Sequence, residues 1–264
     1  MPMRLATWNV NSLKARLERV LAWTAAARPD ILCMQETKLA DEAVPLLAFA
    51  ELGYEVAHHG AGQWNGVAVA SRVGLDTITA GLPSDDGWTD DGGRFLAATC
   101  SGIRVASVYV PNGRMVGSDF YAAKLEWLDR LHAWLARDCD PSQALALCGD
   151  FNVAPEDADV WDPEAVHGAT HVSPPEREAV ARLRAWGLVD VIRRFHPEPG
   201  FYTWWDYRAG NFHKNFGMRI DHVYATEVLA ERAVAAERDR DARKPSTYPG
   251  IPSDHAPLIV DFTP

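Results

Sequence analysis

The sequence predicts an α/β protein, a four-layered α/β sandwich in which two mixed β-sheets pack face to face with helices on the outside. Three observations carry this expectation. Strand-like apolar runs recur from one end of the chain to the other, and amphipathic helical stretches fall between only some of them. Two neighbouring runs, RFLAATC and IRVASVYV, are separated by Ser101 and Gly102 alone, a hairpin spacing that rules out strict βαβ alternation.

The elements follow in order. RLATWNV is the first strand, and Ser12 then caps a helix whose apolar face is Leu13, Leu17, Val20 and Leu21, ending before Pro29. DILCMQ and GVAVAS are strands, followed by the hairpin pair. Ser118 opens a second helix with Tyr121, Leu125, Leu128, Leu131 and Leu135 at spacings of three and four, ending before Pro141. ALALCGD is a buried strand that delivers Asp150 and Asn152 one residue apart. Ser173-Pro174-Pro175-Glu176 is a capping box with proline at the first helical position, and Gly187 suits the far end of that helix. RIDHVYA and APLIVDF complete the strands. No linker or repeat interrupts the series, so residues 1–264 are read as one domain.

Composition narrows the class. With 264 residues, 47% apolar and 23% charged, the chain can bury a large core. No apolar run reaches membrane-spanning length, and MPMRLATWNV lacks a signal-peptide layout, so a cytoplasmic protein with no membrane partner is expected. Cys33, Cys100, Cys139 and Cys148 have no metal-site spacing and read as reduced, mostly buried thiols. GAGQWNG is not a dinucleotide fingerprint and no P-loop occurs, which leaves nucleotide-cofactor chemistry without support. The tryptophans read mainly as packing residues. A formal charge of −10 argues against a polyanionic partner, yet the acid is concentrated in 83–91 and 155–164, whereas Lys14, Arg16, Lys38, Arg114, Arg208, Lys214 and Arg219 lie near the polar motifs.

Those motifs sit at strand ends: TWNVN, CMQETK, SVYVPNG, LCGDFN, MRIDHVYA and IPSDHAPL. Any one Asp or Asn there reads equally well as a turn residue. Six such endings in one chain read instead as a site assembled at one edge of a sandwich. The chemistry such a set serves is metal-assisted phosphodiester hydrolysis. Glu36 offers a hard carboxylate oxygen, and Asn11 a neutral one, to magnesium. Asp150 can orient or deprotonate a water, and Asn152, on the same side of the strand two residues later, can donate to phosphate. Asp221 and His255 suggest a couple in which the carboxylate favours imidazolium, and Tyr109 can donate to the same phosphate.

TWNVNSLKAR, MQETK, YVPNGR, GDFNVAPED, RLRAWGLVD, YTWWDYR, MRIDHVYA and PSDHAPL resemble, in order and over nearly the whole chain, the exonuclease III family of abasic-site (AP) endonucleases within the endonuclease/exonuclease/phosphatase superfamily. The resemblance implies a four-layered sandwich, a magnesium cofactor for which manganese substitutes, and cleavage 5′ of abasic sites in double-stranded DNA. It also implies 3′-to-5′ exonuclease action and removal of 3′ blocks. By the same resemblance, Glu36 is the principal metal ligand and Asp254 a second metal contact. Asn9 and Asn152 contact phosphate or orient water, Asp150 activates the nucleophile, and His255 with Asp221 faces phosphate. Tyr109 and Asn112 lie near the scissile group. Trp204, Met218 and Ile220 wall a pocket for a flipped-out abasic sugar. Arg114, directly after YVPNG, is expected to enter a groove beside that sugar. The chain is expected to act as a monomer. A phosphatase of the same superfamily acting on inositol phosphates or sphingolipids would share the strand-end residues with different specificity loops. A non-catalytic nucleic-acid-binding member would show gaps at Glu36, Asp150 or His255, and none is seen.

Overall fold

The computed structural model describes residues 2–90 and 92–264. In chain order the elements are β1 (Met3–Asn9), α1 (Leu13–Ala27), β2 (Ile31–Gln35), α2 (Leu46–Ala50), β3 (Glu55–His59), β4 (Val67–Ser71), β5 (Asp76–Ala80), β6 (Phe95–Cys100), β7 (Ile103–Tyr109) and α3 (Asp119–Asp138). They continue with β8 (Leu145–Asp150), α4 (Pro174–Gly187), β9 (Leu188–Asp190), α5 (Val191–Phe195), α6 (Asn211–Lys214), β10 (Asp221–Thr226), α7 (Glu227–Ala230), β11 (Ala233–Arg238) and β12 (Leu258–Phe262). One sheet has the order β11-β12-β1-β2-β4-β3 and the other β5-β6-β7-β8-β10-β9. Each contains one parallel pair, β1 with β2 and β7 with β8, among antiparallel neighbours. The expected four layers are present.

Period-two alternation explains the layering. Leu5, Ile31, Cys33, Val67, Val69, Leu96, Val105, Ala146, Cys148, Val223 and Val260 point between the sheets and form one core. The alternate residues Ala6, Trp8, Leu32 and Met34 pack with Leu13, Val20 and Trp23 of α1. Leu145 and Leu147 pack with Trp127, Leu131 and Leu135 of α3 and Val180 and Leu183 of α4. Each fully buried valine, leucine, isoleucine or methionine among them contributes about 1.5–3 kcal/mol.

The caps form where the sequence places them. Ser12 accepts from the Ala15 amide and Ser118 from the Tyr121 amide, and Ser173 and Glu176 make a reciprocal capping box. Leu17, Leu21 and Leu125 are only half-buried, and Trp23 and Trp127 take the deeper positions. The hairpin across Ser101-Gly102 joins β6 to β7 antiparallel. Among the described residues no helix is long and apolar enough to cross a membrane. The cysteines are free, with Cys139 half-buried and the other three buried.

Candidate active site

The face between the sheets changes character along each strand. β1 runs Leu5, Thr7, Asn9; β2 runs Ile31, Cys33, Gln35; β7 runs Val105, Ser107, Tyr109; and β8 runs Ala146, Cys148, Asp150, all on the inward parity. The apolar interior therefore ends in a layer of hydroxyls and amides before it reaches carboxylates. Gln35 donates to Thr7 Oγ1 and Ser107 Oγ, each at 3.0 Å, and so bridges the two sheets beneath the site.

Four of the polar motifs lie at C-terminal strand ends, but Asp221 begins β10 and Asp254 and His255 precede β12. They reach the same edge because β10 runs antiparallel to β8 and β12 antiparallel to β1, with Asp221 opposite Asp150. The expectation that RIDHVYA is a strand from its first residue is corrected accordingly.

Asp150 occupies the centre. Its Oδ2 accepts from Asn9 Nδ2 at 2.9 Å and its Oδ1 from the Asn152 amide at 2.8 Å. The strand stops at Asp150 and Asn152 takes a left-handed φ of 51°, so the two residues meet through a side-chain turn and not through strand alternation. Gly149 makes this possible: a Cβ there would stand 2.0 Å from the Val108 carbonyl oxygen. Burial, with the charges of Asp221 and Glu36 added, pushes the Asp150 pKa up to about 7 against the pull of His255 and Asn9.

His255 Nδ1 lies 2.8 Å from Asp221 Oδ2, and its Nε2 is 3.8 Å from Asp150 Oδ2. Burial pulls the imidazole pKa down, but Asp221 first, then Asp150 and Asp254, carry it to about 10. Ser253 fastens this corner: its hydroxyl donates to the Asn9 carbonyl at 2.7 Å and accepts from the His255 amide at 3.2 Å. Burial and the nearby Glu36 and Asp150 carboxylates hold the Tyr109 hydroxyl well above the usual range, so it stays a proton donor.

Glu36, at φ 52°, receives Asn9 Nδ2 on Oε1 at 2.8 Å and faces Lys38 Nζ on Oε2 at 3.0 Å. Glu36, Asp150 and His255 offer atoms within 4.8 Å of one another. Because Asp221 keeps His255 protonated, its Nε2 is a donor and has no lone pair for a cation. Two hard carboxylates remain, one countered by Lys38 and the other raised toward neutrality chiefly by burial. That donor set fits a divalent cation.

The matched family model is described as the Endonuclease/Exonuclease/phosphatase family and spans residues 6–255. The chain belongs to this family. Exodeoxyribonuclease III of Haemophilus influenzae is 32% identical over 272 residues, covering 98% of this chain and 100% of that protein. An AP endonuclease structure from Archaeoglobus fulgidus superposes with a TM-score of 0.93 at 38% identity, covering 99% of this chain and 100% of that one. The 3′ phosphatase NExo from Neisseria, bound to a product DNA hairpin, gives the same score and identity over 99% of both chains. As a member of the family, the chain is a nuclease hydrolase of the exodeoxyribonuclease III and AP endonuclease type.

Within this family frame the structure redistributes several residues. Asn9, expected on phosphate, has spent both amide hydrogens on Glu36 and Asp150, and its Oδ1 accepts the Asn11 amide at 3.0 Å. It is fully buried and ties the two carboxylates together. Asn11 and Asp254, expected on the metal, are bonded to each other at 2.9 Å. The Asn11 oxygen also accepts from Lys38 at 2.7 Å, and Asp254 Oδ2 accepts from Trp204 Nε1 at 3.1 Å. Asp254 is not among the Glu36, Asp150 and His255 atoms that lie within 4.8 Å of one another. Burial opposes the Asp254 charge, but His255, Trp204 and Asn11 outweigh it and its pKa is lowered. Trp204 pairs with both Met218 and His255, and with Met218 and Ile220 it lines one apolar cluster beside the site. Asn112 Nδ2 donates to Asn152 Oδ1 at 3.1 Å, while Asn152 Nδ2 donates to the Val110 carbonyl at 3.0 Å. Arg114 is exposed, its guanidinium 3.6 Å from the Phe120 ring centroid. Sequence reasoning missed Gln35 and Ser253 as site supports, and it cited Lys38 only for its charge. The one legible signal was parity, since Gln35 shares a strand face with Ile31 and Cys33.

Proposed function

We propose that the chain is a magnesium-dependent DNA repair nuclease that hydrolyses the phosphodiester 5′ of abasic sites in duplex DNA, trims and cleans 3′ ends, and acts as a monomer. The observation that supports this best is Asp150, buried between Glu36 and the His255–Asp221 couple, with its pKa near neutrality. A base for water activation works best with a pKa close to the working pH. Asp150 takes the proton of an attacking water as its oxygen bonds to phosphorus. The bond from phosphorus to the leaving 3′ oxygen breaks on the opposite side, and that oxygen takes a proton from solvent water to leave as the 3′ hydroxyl. The His255 imidazolium donates to a phosphate oxygen, and the Tyr109 hydroxyl donates near the same group. Magnesium, or manganese in its place, would be held chiefly by Glu36 with Asp150 within reach, and supplies charge neutralisation for the phosphate. The cluster of Trp204, Met218 and Ile220 selects a nucleotide lacking its base, because an extruded normal nucleotide is larger.

The test is incubation with a duplex carrying one tetrahydrofuran abasic analogue, with magnesium or with EDTA, beside blunt and 3′-phosphate duplexes. Incision at the analogue in magnesium and none in EDTA is expected. Failure to process any of the three duplexes would refute the reading. Hydrolysis of inositol phosphates in place of DNA would favour the phosphatase alternative.

A further inference from the structure

Lys124 sits on the buried face of α3, three residues after Tyr121, and is 0% exposed. A lysine so placed loses its hydration and must recover it from protein acceptors. Its Nζ donates to the Asn152 carbonyl at 2.7 Å, to the Asn112 carbonyl at 3.3 Å, and to Glu176 Oε1. Asn112 and Asn152 are the two asparagines joined side chain to side chain beside Asp150. Glu176 in turn gathers the third segment: it accepts from the Thr170 hydroxyl at 3.0 Å, the His171 amide at 3.0 Å and the Ser173 amide at 3.1 Å. The Asn112 carbonyl, 3.1 Å away, is the alternative acceptor for the single Thr170 hydroxyl proton. The β7–α3 connection and the two ends of the β8–α4 connection therefore meet on one buried ion pair. The packing is close, since a Cβ at Gly113 would stand 2.9 Å from Lys124 Cδ.

We propose that Lys124, neutralised by Glu176, is a positioning residue for the nuclease reaction: it fixes the backbone of Asn112 and Asn152 and thereby sets their side-chain amides relative to Asp150. Nothing about a stable core requires this arrangement, because a buried ion pair is often no more stabilising than apolar side chains of equal volume. Its three acceptors are instead two active-site carbonyls and the hub of the neighbouring loop. The inference rests on the nuclease reading given above.

The test uses the full chain and the duplex that the wild type cleaves. Lys124→Met alone leaves Glu176 buried and unpaired, so the informative variant is Lys124→Met/Glu176→Gln, which removes both charges. A misplacement of catalytic groups by about 1 Å costs about 100-fold. The double variant is expected to melt several degrees lower, because the amide nitrogen introduced by Glu176→Gln faces donors that the carboxylate accepted, but to keep the wild-type KM, with kcat lower by about that factor. Lys124→Gln in the same Glu176→Gln background keeps N–H donors for the two carbonyls without either charge and is expected to recover part of kcat; it also serves if the Met double variant does not fold. In the metal-free protein, the side-chain amide resonances of Asn112 and Asn152 should shift or broaden in the Met variant and return toward wild type in the Gln variant. A folded double variant with wild-type kcat, or unmoved asparagine resonances, would overturn the proposal. Absence of cleavage by the wild type would instead count against the nuclease reading, which separates the two failures.

Discussion

Replacing Asp150 by Asn should raise stability while abolishing cleavage. Asp150 is 1% exposed, and burial with its acidic neighbours lifts its pKa from 3.8 to about 7. A rise of that size corresponds to about 4 kcal/mol of native-state cost once the carboxyl ionises. The sign follows from linkage. The folded pKa lies above the unfolded one, so the favourable contribution is fully present below about pH 4 and is lost as pH rises through 7. Asparagine carries no charge and escapes that cost. It also brings an amide nitrogen to face Asn9 Nδ2, 2.9 Å from the oxygen it replaces, and two opposed donors cost about 1–3 kcal/mol. The net gain at pH 8 is therefore about 1–3 kcal/mol, or several degrees in Tm, turning into a small loss near pH 4. Thermal unfolding of metal-free wild type and variant from pH 4 to 9 measures the first part. Single-turnover cleavage of the abasic duplex, expected to fall about 10⁴-fold, measures the second. A Tm difference that does not change with pH would refute the stability argument, and near wild-type cleavage would refute the role of Asp150 as base.

Asp221→Asn should lower the His255 pKa from about 10, because the largest charge opposing burial, 2.8 Å away, is removed and only Asp150 and Asp254 remain to oppose it. Imidazole NMR of the metal-free protein reads this directly, and an unchanged value would remove Asp221 as the cause. The raised pKa contributes stability that is present below about pH 6.5 and fades as pH climbs through 10, so this fading should be weaker in the variant. Trp204→Ala should lower abasic cleavage relative to 3′-phosphate removal, since it opens the wall formed with Met218; equal losses on both substrates would mean that Trp204 serves packing alone. Lys14→Ala should weaken binding to every duplex alike and reduce the slope of log K against log salt by about 0.9. Anisotropy in calcium measures that slope, and an unchanged value would place Lys14 off the DNA face.

The strands readable in the sequence are those buried on both sides. β1, β2, β4, β6, β7, β8, β10 and β12 each carry an apolar run, and all eight are interior to their sheets. The four missed strands, β3, β5, β9 and β11, are the four sheet edges. Three of them bury one residue at most, as in the pattern eeeie of β5, and β9 is only three residues long. Edge strands have no apolar run to display because one side has no neighbour to bury it. The polar residues of the site were legible for the opposite reason: a carboxylate ending an apolar strand contradicts its surroundings and draws notice. Their partners were not legible. That Asn9 bonds Glu36 and Asp150, or that Asn11 bonds Asp254 across 243 residues of chain, depends on which strands neighbour each other. Lys124 was visible only as a charged residue at an apolar position of α3, where the helical spacing alone reads as a surface lysine.

The formal charge of −10 counts acids that already have partners. In the segment around 83–91, Asp85 lies 2.7 Å from Arg137 and Asp86 3.1 Å from Arg130. In 155–164, Asp157 lies 2.8 Å from Arg177, and Asp159 shares Arg219 with Asp190 at 2.6 and 2.7 Å. Charges paired at contact distance present dipoles, whose fields fade faster than those of single ions and are screened further within a Debye length of ~8 Å. The arginines next to Trp204 and Asp254 are bonded differently. Arg16 donates to the Pro252 carbonyl at 3.1 Å and to the Tyr207 hydroxyl at 2.9 Å. Arg240 donates to the Phe212 carbonyl at 2.7 Å, and Arg243 to the Ser253 and Trp205 carbonyls at 2.6 and 3.2 Å. These bonds orient the guanidinium groups without cancelling their charge. A phosphate backbone laid across that corner would meet positive charge whose hydrogen bonds go to uncharged oxygens, while the acids of the two acidic stretches named above are held against arginines.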